Sequence, residues 1–343
     1  LVLIHPGGSV ELTGSASWLT LRDVRTHHQV RVGSRPDCDR VARSLMGRSV
    51  GVVLSGGGPR GFAHLGAIQA IKDAGIPIDV VGGSSIGALM GAGVAFEWGH
   101  EATIERVGRA LSDRGSLLRP TLPLVSLSSG RRVENILRAP DYLGDRMMED
   151  ALVPWFCVST SLQRALIVVH DRGPAWLAVR SSFALPGILP PVYDHGDLLV
   201  DGGVLDNLPV DVMRLRLDGA VVAIDLEPEE DERDNAPFDP SVSGWQVLAK
   251  RVNPFARNSA APSALQVLLR SKQVGVRHLQ TSVLAAHPVE LYLRPPLAAL
   301  GALDFRSGEA LVEAGYRYTA EVLAATDLSG LLPPAGAERA TTG

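Results

Sequence analysis

Three short stretches of this 343-residue chain carry residue types that could share one reaction. The first is Gly83-Ser84-Ser85-Ile86-Gly87, a G-x-S-x-G run between an apolar strand at residues 78–81 and a small-residue helix starting near Ile86. That is the setting of a nucleophile elbow, in which a serine on a tight strand-to-helix turn exposes its hydroxyl. The register selects Ser85 over its neighbour Ser84. Gly83 and Gly87 flank the turn where a Cβ would collide with the adjoining strand or helix. The second stretch, Ser55-Gly56-Gly57-Gly58-Pro59-Arg60-Gly61, lies between an apolar run and an amphipathic segment. A glycine-rich turn in that place leaves backbone N–H groups aimed at one spot, a nest for a phosphate or an oxyanion. Phosphate fits poorly, because no G-x-x-x-x-G-K-[ST] is present and the G-x-G-x-x-G pattern is only partly met. The third is Asp201-Gly202-Gly203 after the strand-like Leu198-Leu199-Val200. A carboxylate at a strand end is placed to take a proton from a hydroxyl. Asp206 and Asp211 compete for that role, the first in turn chemistry and the second on a helix.

The elements needed to position these residues are legible as alternating patterns. Strand candidates are residues 50–54, 78–81, 155–159, 165–169, 197–200 and 220–225; helix candidates are 62–74, 86–97, 101–112, 131–137, 175–184 and 208–217. Such alternation implies a mostly parallel sheet covered on both faces. Residues 1–47 read as irregular, with short apolar runs at 2–4 and 18–24. Residues 227–239 form an acidic run that reads as a solvated loop. Helices follow at 242–252, 263–279 and 307–324, and the last ten residues read as disordered. Trp245, Lys250, Arg251, Phe255 and Arg257 set aromatics beside cations, a composition that suits a membrane interface and equally a packed amphipathic helix; the packed helix is the plainer reading.

Composition narrows the function classes. An apolar fraction of 45% suffices for a full core, and a net charge of −4 offers no basic field for nucleic acid. Arginine greatly outnumbers lysine, a usage that reflects a GC-rich genome rather than function and points to a bacterial source. Cys38 and Cys157 lie far apart without metal spacing and suit a reducing cytoplasm. No secretion signal opens the chain, which begins at Leu1 without methionine and so reads as a piece of a longer protein. The uncharged stretch 80–96 is too short to span a bilayer and fits a buried elbow helix. No His/Cys/Asp cluster has metal-ligand spacing. His64 reads as a packed histidine. His170 and His195 stand near strand ends, and an unusual Ser–Asp–His order through His195 stays open because triad geometry is not tied to chain order. Arg60 either pins the glycine turn or attracts an anionic headgroup.

An oxyanion nest, an elbow serine and a strand-end aspartate, in that order, resemble the patatin-like phospholipases. The resemblance is closer to their neuropathy-target-esterase branch. It shows in Leu45-Met46-Gly47-Arg48, Pro186-Gly187-Ile188-Leu189-Pro190-Pro191, Asp206-Asn207-Leu208-Pro209, Ser243-Gly244-Trp245 and Tyr292-Leu293-Arg294-Pro295-Pro296, and covers roughly residues 40–325. It implies an α/β fold, a three-layer α/β/α sandwich with a mostly parallel central sheet, over a catalytic domain at residues 48–326. Residues 1–47 would be the linker from an upstream cyclic-nucleotide-binding-like region, and 327–343 a tail. It further implies a Ser–Asp dyad that needs no cofactor, with Ser85 as nucleophile, Asp201 as base, and Gly56, Gly57, Gly58, Arg60 and Gly61 around the oxyanion. The substrate would be a lysophospholipid or phospholipid ester, met in the cytoplasm or at the membrane periphery. Pro59 departs from the family, which more often has a small residue with an N–H there. Proline donates nothing, so the hole must draw on Gly57, Gly58 or Arg60. Acyl transfer on the same dyad and a non-catalytic lipid-binding module are the rival classes.

Overall fold

Residues Ser49–Leu54 are buried at every position and form β3. A strand covered on both faces reads in this way as an unbroken apolar run. The computed structural model describes residues 1–8, 11–21, 23–24, 26–112, 121–122, 125–227, 264–297 and 308–332. Strand β3 lies between β4 (Val80–Ser84) and β9 (Gly219–Ile224), parallel to both. β4 is parallel to β5 (Trp155–Ser161), and β9 is parallel to β10 (Leu291–Leu293). β6 (Leu166–His170) and β8 (Asp197–Asp201) both run antiparallel to β5, and β7 (Val192–Asp194) pairs with β8 as a hairpin.

Alternate side chains of β3 enter different cores. Val52 joins Val222, Phe62, Ala88 and Val179 on one face, while Val53 joins Val221, Phe156, Val210 and Met213 on the other. The first face is covered by α3 (Phe62–Asp73), α4 (Ile86–Ala95), α7 (Ala175–Ser182) and α10 (Gly308–Ala325). The second is covered by α8 (Val210–Arg214) and the long α9 (Ala264–Ala286). The architecture is thus the three-layer α/β/α sandwich with a mostly parallel sheet. α5 (His100–Ser112) and α6 (Arg131–Leu137) lie at the positions expected for helices.

Other expectations need correction. The strand expected at 78–81 starts at Val80 and runs to Ser84, because its glycines complete the ladders to β3 and β5. The helix expected at 208–217 shrinks to α8, whose start is fixed by Pro209. The helix expected at 263–279 continues to Ala286, with nothing to break it before Pro288. Residues 1–47 are not irregular. They contain β1 (Val2–His5), α1 (Ser15–Leu19), β2 (His28–Arg31) and α2 (Arg35–Leu45), with β1 and β2 paired in parallel. Their hydrogen bonds reach the sandwich: Ser15 N–H donates to Asp150, Gln29 Nε2 to the Glu149 carbonyl, and Arg43 to Asp79. The helix expected at 242–252, the cation–aromatic group from Trp245 to Arg257, most of the acidic run and the last ten residues lie outside the described residues. Of the tail expected at 327–343, residues 327–332 are described, and Leu331 is buried in the first core.

Candidate active site

Two strands end against each other at the middle of β5. Cys157 pairs with Gly83 and His170, and Ser159 pairs with Asp201 and Val168. β6 occupies one edge of β5 along residues 157–161, so β4 and β8 share the other edge, where Ser84 pairs with Val158 and Asp201 with the next residue, Ser159. The C-terminal ends of β4 and β8 therefore abut. The junction is tight: a Cβ on Gly202 would lie 2.3 Å from the Val158 carbonyl oxygen and 2.7 Å from Ser84 Oγ.

Ser85 follows directly on β4 with φ 54° and ψ −121°. A non-glycine residue held there is strained, a state found where surroundings over-determine the backbone. The surroundings are visible. A Cβ on Gly87 would lie 2.2 Å from the Leu54 oxygen, and one on Gly83 would lie 2.5 Å from the Gly87 carbonyl carbon. The elbow closes only with glycine at both positions, as its sequence suggested. Ser182 at the end of α7 accepts the Ser85 N–H through its Oγ at 2.9 Å. Ser84 is fully buried, whereas Ser85 is half-buried at the head of α4, so of the two serines Ser85 is the one open to solvent.

Asp201 is 1% exposed. Its Oδ1 accepts from the Gly203 N–H at 2.9 Å and from Lys272 Nζ at 3.0 Å, while its Oδ2 is buried without a partner. No hydrogen bond joins Ser85 Oγ to Asp201 among the described residues. Asp206 is turned elsewhere. It accepts the Leu208 N–H and faces Asp211, and burial followed by that second carboxylate pushes its carboxyl well above the usual range.

The glycine loop lies beside this junction. A Cβ on Gly56 would sit 3.3 Å from Ser85 Cβ and 2.3 Å from Asn207 Oδ1, and one on Gly203 would sit 2.6 Å from the same Oδ1. Asn207 is thus wedged between the loop and the residues after Asp201. Its carbonyl takes the Gly56 N–H at 3.0 Å, and the Gly57 carbonyl takes the Arg60 N–H at 3.3 Å. Gly56 and Arg60 are therefore spent as donors, a correction to the wider nest read from the glycines. Gly61 closes the 3₁₀ turn Gly58–Gly61, where a Cβ would strike Ile86 at 2.2 Å. Gly57 and Gly58 remain, with no acceptor for their N–H groups among the described residues. Gly58 has φ +56°, a conformation that suits glycine. Arg60 donates to the Leu226 carbonyl at 3.3 Å, which fits the pinning role.

The histidines are accounted for. His64 is fully buried beneath the loop; its Nε2 donates to the Ser55 carbonyl at 2.9 Å, and burial lowers its pKa to about 4. It is a neutral buttress. His170 sits on β6 with Nε2 2.7 Å from Ser159 Oγ, and burial lowers its pKa as well. His195 lies in the β7–β8 hairpin turn with its side chain 94% exposed, beside Asp194 rather than Asp201. The open Ser–Asp–His order through His195 is not assembled.

A strained serine elbow, a glycine loop at its side and a carboxylate at an abutting strand end match what the family comparison finds. Residues 52–214 match the patatin-like phospholipase model. This chain belongs to the patatin-like phospholipase family. It is 38% identical over 323 residues to lysophospholipase NTE1 of Mycosarcoma maydis, covering 92% of this chain and 16% of that protein. It is 36% identical over 295 residues to patatin-like phospholipase domain-containing protein 6 of Homo sapiens, covering 84% of this chain and 21% of that protein. Neuropathy target esterase sws of Drosophila melanogaster is 36% identical over 354 residues, covering 92% of this chain and 24% of that one. The chain spans about a fifth of the length of these relatives.

Beside the family motifs, this patatin-like site contains residues that sequence reasoning missed. Ser182 had no signal beyond its type. Asn207 was noticed only as part of a motif, not as the wedge between the glycine loop and the residues after Asp201. Lys272 is one of three lysines in the chain, and that scarcity was its only mark. It reaches Asp201 from α9, whose outer side exposes Val267, Leu268, Val274 and Leu279. Among the described residues, no helix is long and apolar enough to cross a membrane.

Proposed function

We propose that this chain is a serine esterase that hydrolyses acyl esters of lysophospholipids and phospholipids through a Ser85–Asp201 dyad. The observation that carries this reading is the abutment of β4 and β8. It brings a strained, reachable Ser85 and a buried Asp201 with one free oxygen to the same point of β5. Ser85 Oγ gives its proton to Asp201 Oδ2 and attacks the acyl carbonyl. The Gly57 and Gly58 N–H groups take the developing oxyanion, where preorganised donors act mainly on the transition state. The protonated Asp201 then returns the proton to the departing glycerol oxygen, leaving an acyl-Ser85. Water, losing its proton to the same carboxylate, attacks this ester, and the released proton restores Ser85. No cofactor enters these steps. The names of the relatives supply the substrate class, and the exposed apolar side chains of α9 suit a lipid surface met from the cytoplasmic side without insertion.

The test is a panel of lysophospholipids and phospholipids assayed for released fatty acid with the wild type, Ser85→Ala and Asp201→Asn. Both variants are expected to fold normally and to lose several orders of magnitude in rate, since removing the nucleophile of a serine protease triad costs about 10⁶-fold. A fluorophosphonate should label Ser85 in the wild type. Turnover at the wild-type rate by Ser85→Ala, or a label on another residue, overturns the assignment. Competing alcohols added to the assay separate hydrolysis from acyl transfer by their products.

A further inference from the structure

We infer that Lys272 is a positioning residue for the dyad, fixing the Asp201 carboxylate so that Oδ2 alone faces the serine proton. This rests on the reading of Asp201 as the base. Both donors to Asp201, the Gly203 N–H and Lys272 Nζ, lie on Oδ1 at 2.9 and 3.0 Å, and Oδ2 has none. A carboxylate that is 1% exposed has no bulk water to satisfy it, so its partners must come from the protein. The Lys272 side chain, 21% exposed, supplies the opposite charge and the hydrogen bond that a buried carboxylate requires. An ammonium is a compact point charge that several orientations of its stem can deliver. Gly203 makes the room: a Cβ there would lie 3.3 Å from Nζ and 2.9 Å from Oδ1. When Oδ2 takes the serine proton, the negative charge moves from Asp201 to the oxyanion and the net charge of the site is unchanged. The Lys272 cation therefore keeps a counter-charge through the step.

An ordinary surface ion pair would not have these properties. Surface pairs join two solvated groups and contribute little. Here one partner is inside the protein and is the base. Among the described residues, the charged groups around this end of α9 include Glu227, whose carboxyl is pushed up by burial and by Asp225, and the cations of Arg60 and Arg277, which act with Lys272 to draw it back; Arg294 donates to the Glu227 carbonyl and pairs with Asp225. Glu227 is thus a second carboxyl whose response to pH could be confused with the loss of Lys272, and the test separates the two.

Lys272→Met and Lys272→Gln are assayed on a soluble p-nitrophenyl ester and on a lysophospholipid, across pH, with circular dichroism confirming the fold. The expected result in either folded variant is a kcat lowered roughly tenfold to a hundredfold with little change in KM, as for misplacement of a catalytic group. The acid limb of kcat/KM should also move up by about one pH unit, as for a carboxylate that loses a cationic neighbour. Lys272→Arg keeps the charge and should leave the acid limb in place. Glu227→Gln should leave it in place too. A wild-type acid limb in the folded Met or Gln variant, with or without a fall in kcat, overturns the inference, as does loss of the limb in Glu227→Gln. Wild-type activity in Asp201→Asn would instead sink the dyad itself.

Discussion

Ser85, the proposed nucleophile, holds a backbone conformation that strains an L-residue. Its φ of 54° and ψ of −121° cost on the order of 1–3 kcal/mol for an L-residue. Ser85→Gly should therefore abolish hydrolysis as Ser85→Ala does while melting at a higher temperature than the Ala variant. Relief of strain outweighs the extra unfolded-state entropy of glycine, roughly 0.4–1 kcal/mol. Thermal melts of the two inactive variants side by side check it; equal melting temperatures would remove strain from the account of the elbow. Gly57 presents the opposite case. Its φ of 178° is open to any residue, so an alanine meets only Leu226, at 3.0 Å to Cβ and 3.3 Å to Cδ1. The loop must give by a few tenths of an ångström, which displaces the N–H aimed at the oxyanion. Gly57→Ala should lower kcat by roughly a hundredfold, the scale of one lost oxyanion donor, with KM little changed. Unchanged kcat with raised KM would make the loop a binding element instead. His195, exposed in a hairpin turn, should tolerate alanine with activity within about twofold, as surface substitutions do.

Among the elements, the helices that carry the site are held by glycines acting as spacers. A Cβ on Gly66 of α3 would lie 1.9 Å from the Val312 oxygen, and one on Gly315 of α10 would lie 2.1 Å from the Ala63 oxygen. The two helices touch backbone to backbone, with α3 continuing from the glycine loop. Gly315→Ala should destabilise the protein by about 1–3 kcal/mol through overpacking, read as a lowered midpoint in urea at unchanged slope. A midpoint at or above the wild type would mean the helices separate without cost. These glycines show what was legible in the sequence and what was not. G-x-S-x-G and Asp201-Gly202-Gly203 are local patterns, and a turn between strand and helix can be read from its own residues. Gly66 and Gly315 are 249 positions apart, and nothing near either names its partner. The same holds at the dyad. Ser85 and Asp201 could be proposed because each sits in a local motif, whereas Lys272 lies in an amphipathic helix where one cation resembles any other. Residues 1–47 were misread because β1 and β2 are only four residues long and gain their stability from pairing and from the sandwich.

The whole molecule depends on buried charges and histidines whose partners lie far along the chain. Asp79, at 2% exposure, accepts three hydrogen bonds from Arg43 and one from the Val50 N–H. Arg43→Met should cost about 3–5 kcal/mol by leaving that carboxylate unpaired, and denaturation of the variant checks it. A loss under about 1 kcal/mol would show that this ion pair does not tie residues 1–47 to the sandwich. Acid should weaken the fold through His64. Its pKa falls from the ordinary 6.5 to about 4 because it is buried without charge. Protons therefore bind the unfolded chain in preference, and the stabilisation is complete above pH 6.5 and lost as pH falls through about 4. At about 1.4 kcal/mol per unit this amounts to roughly 3 kcal/mol. His28 and His170 are lowered too and act in the same sense, whereas the raised carboxyls of Asp206 and Glu227 favour the fold at low pH and lose that contribution as pH rises. The separate share of His64 is isolated by His64→Gln, whose amide can still donate to the Ser55 carbonyl. The difference in unfolding free energy between pH 7.5 and pH 4.5 should shrink in this variant by roughly 2–3 kcal/mol. An identical pH dependence in the two proteins would mean that His64 is protonated in the folded state, and the neutral buttress under the glycine loop would have to be abandoned.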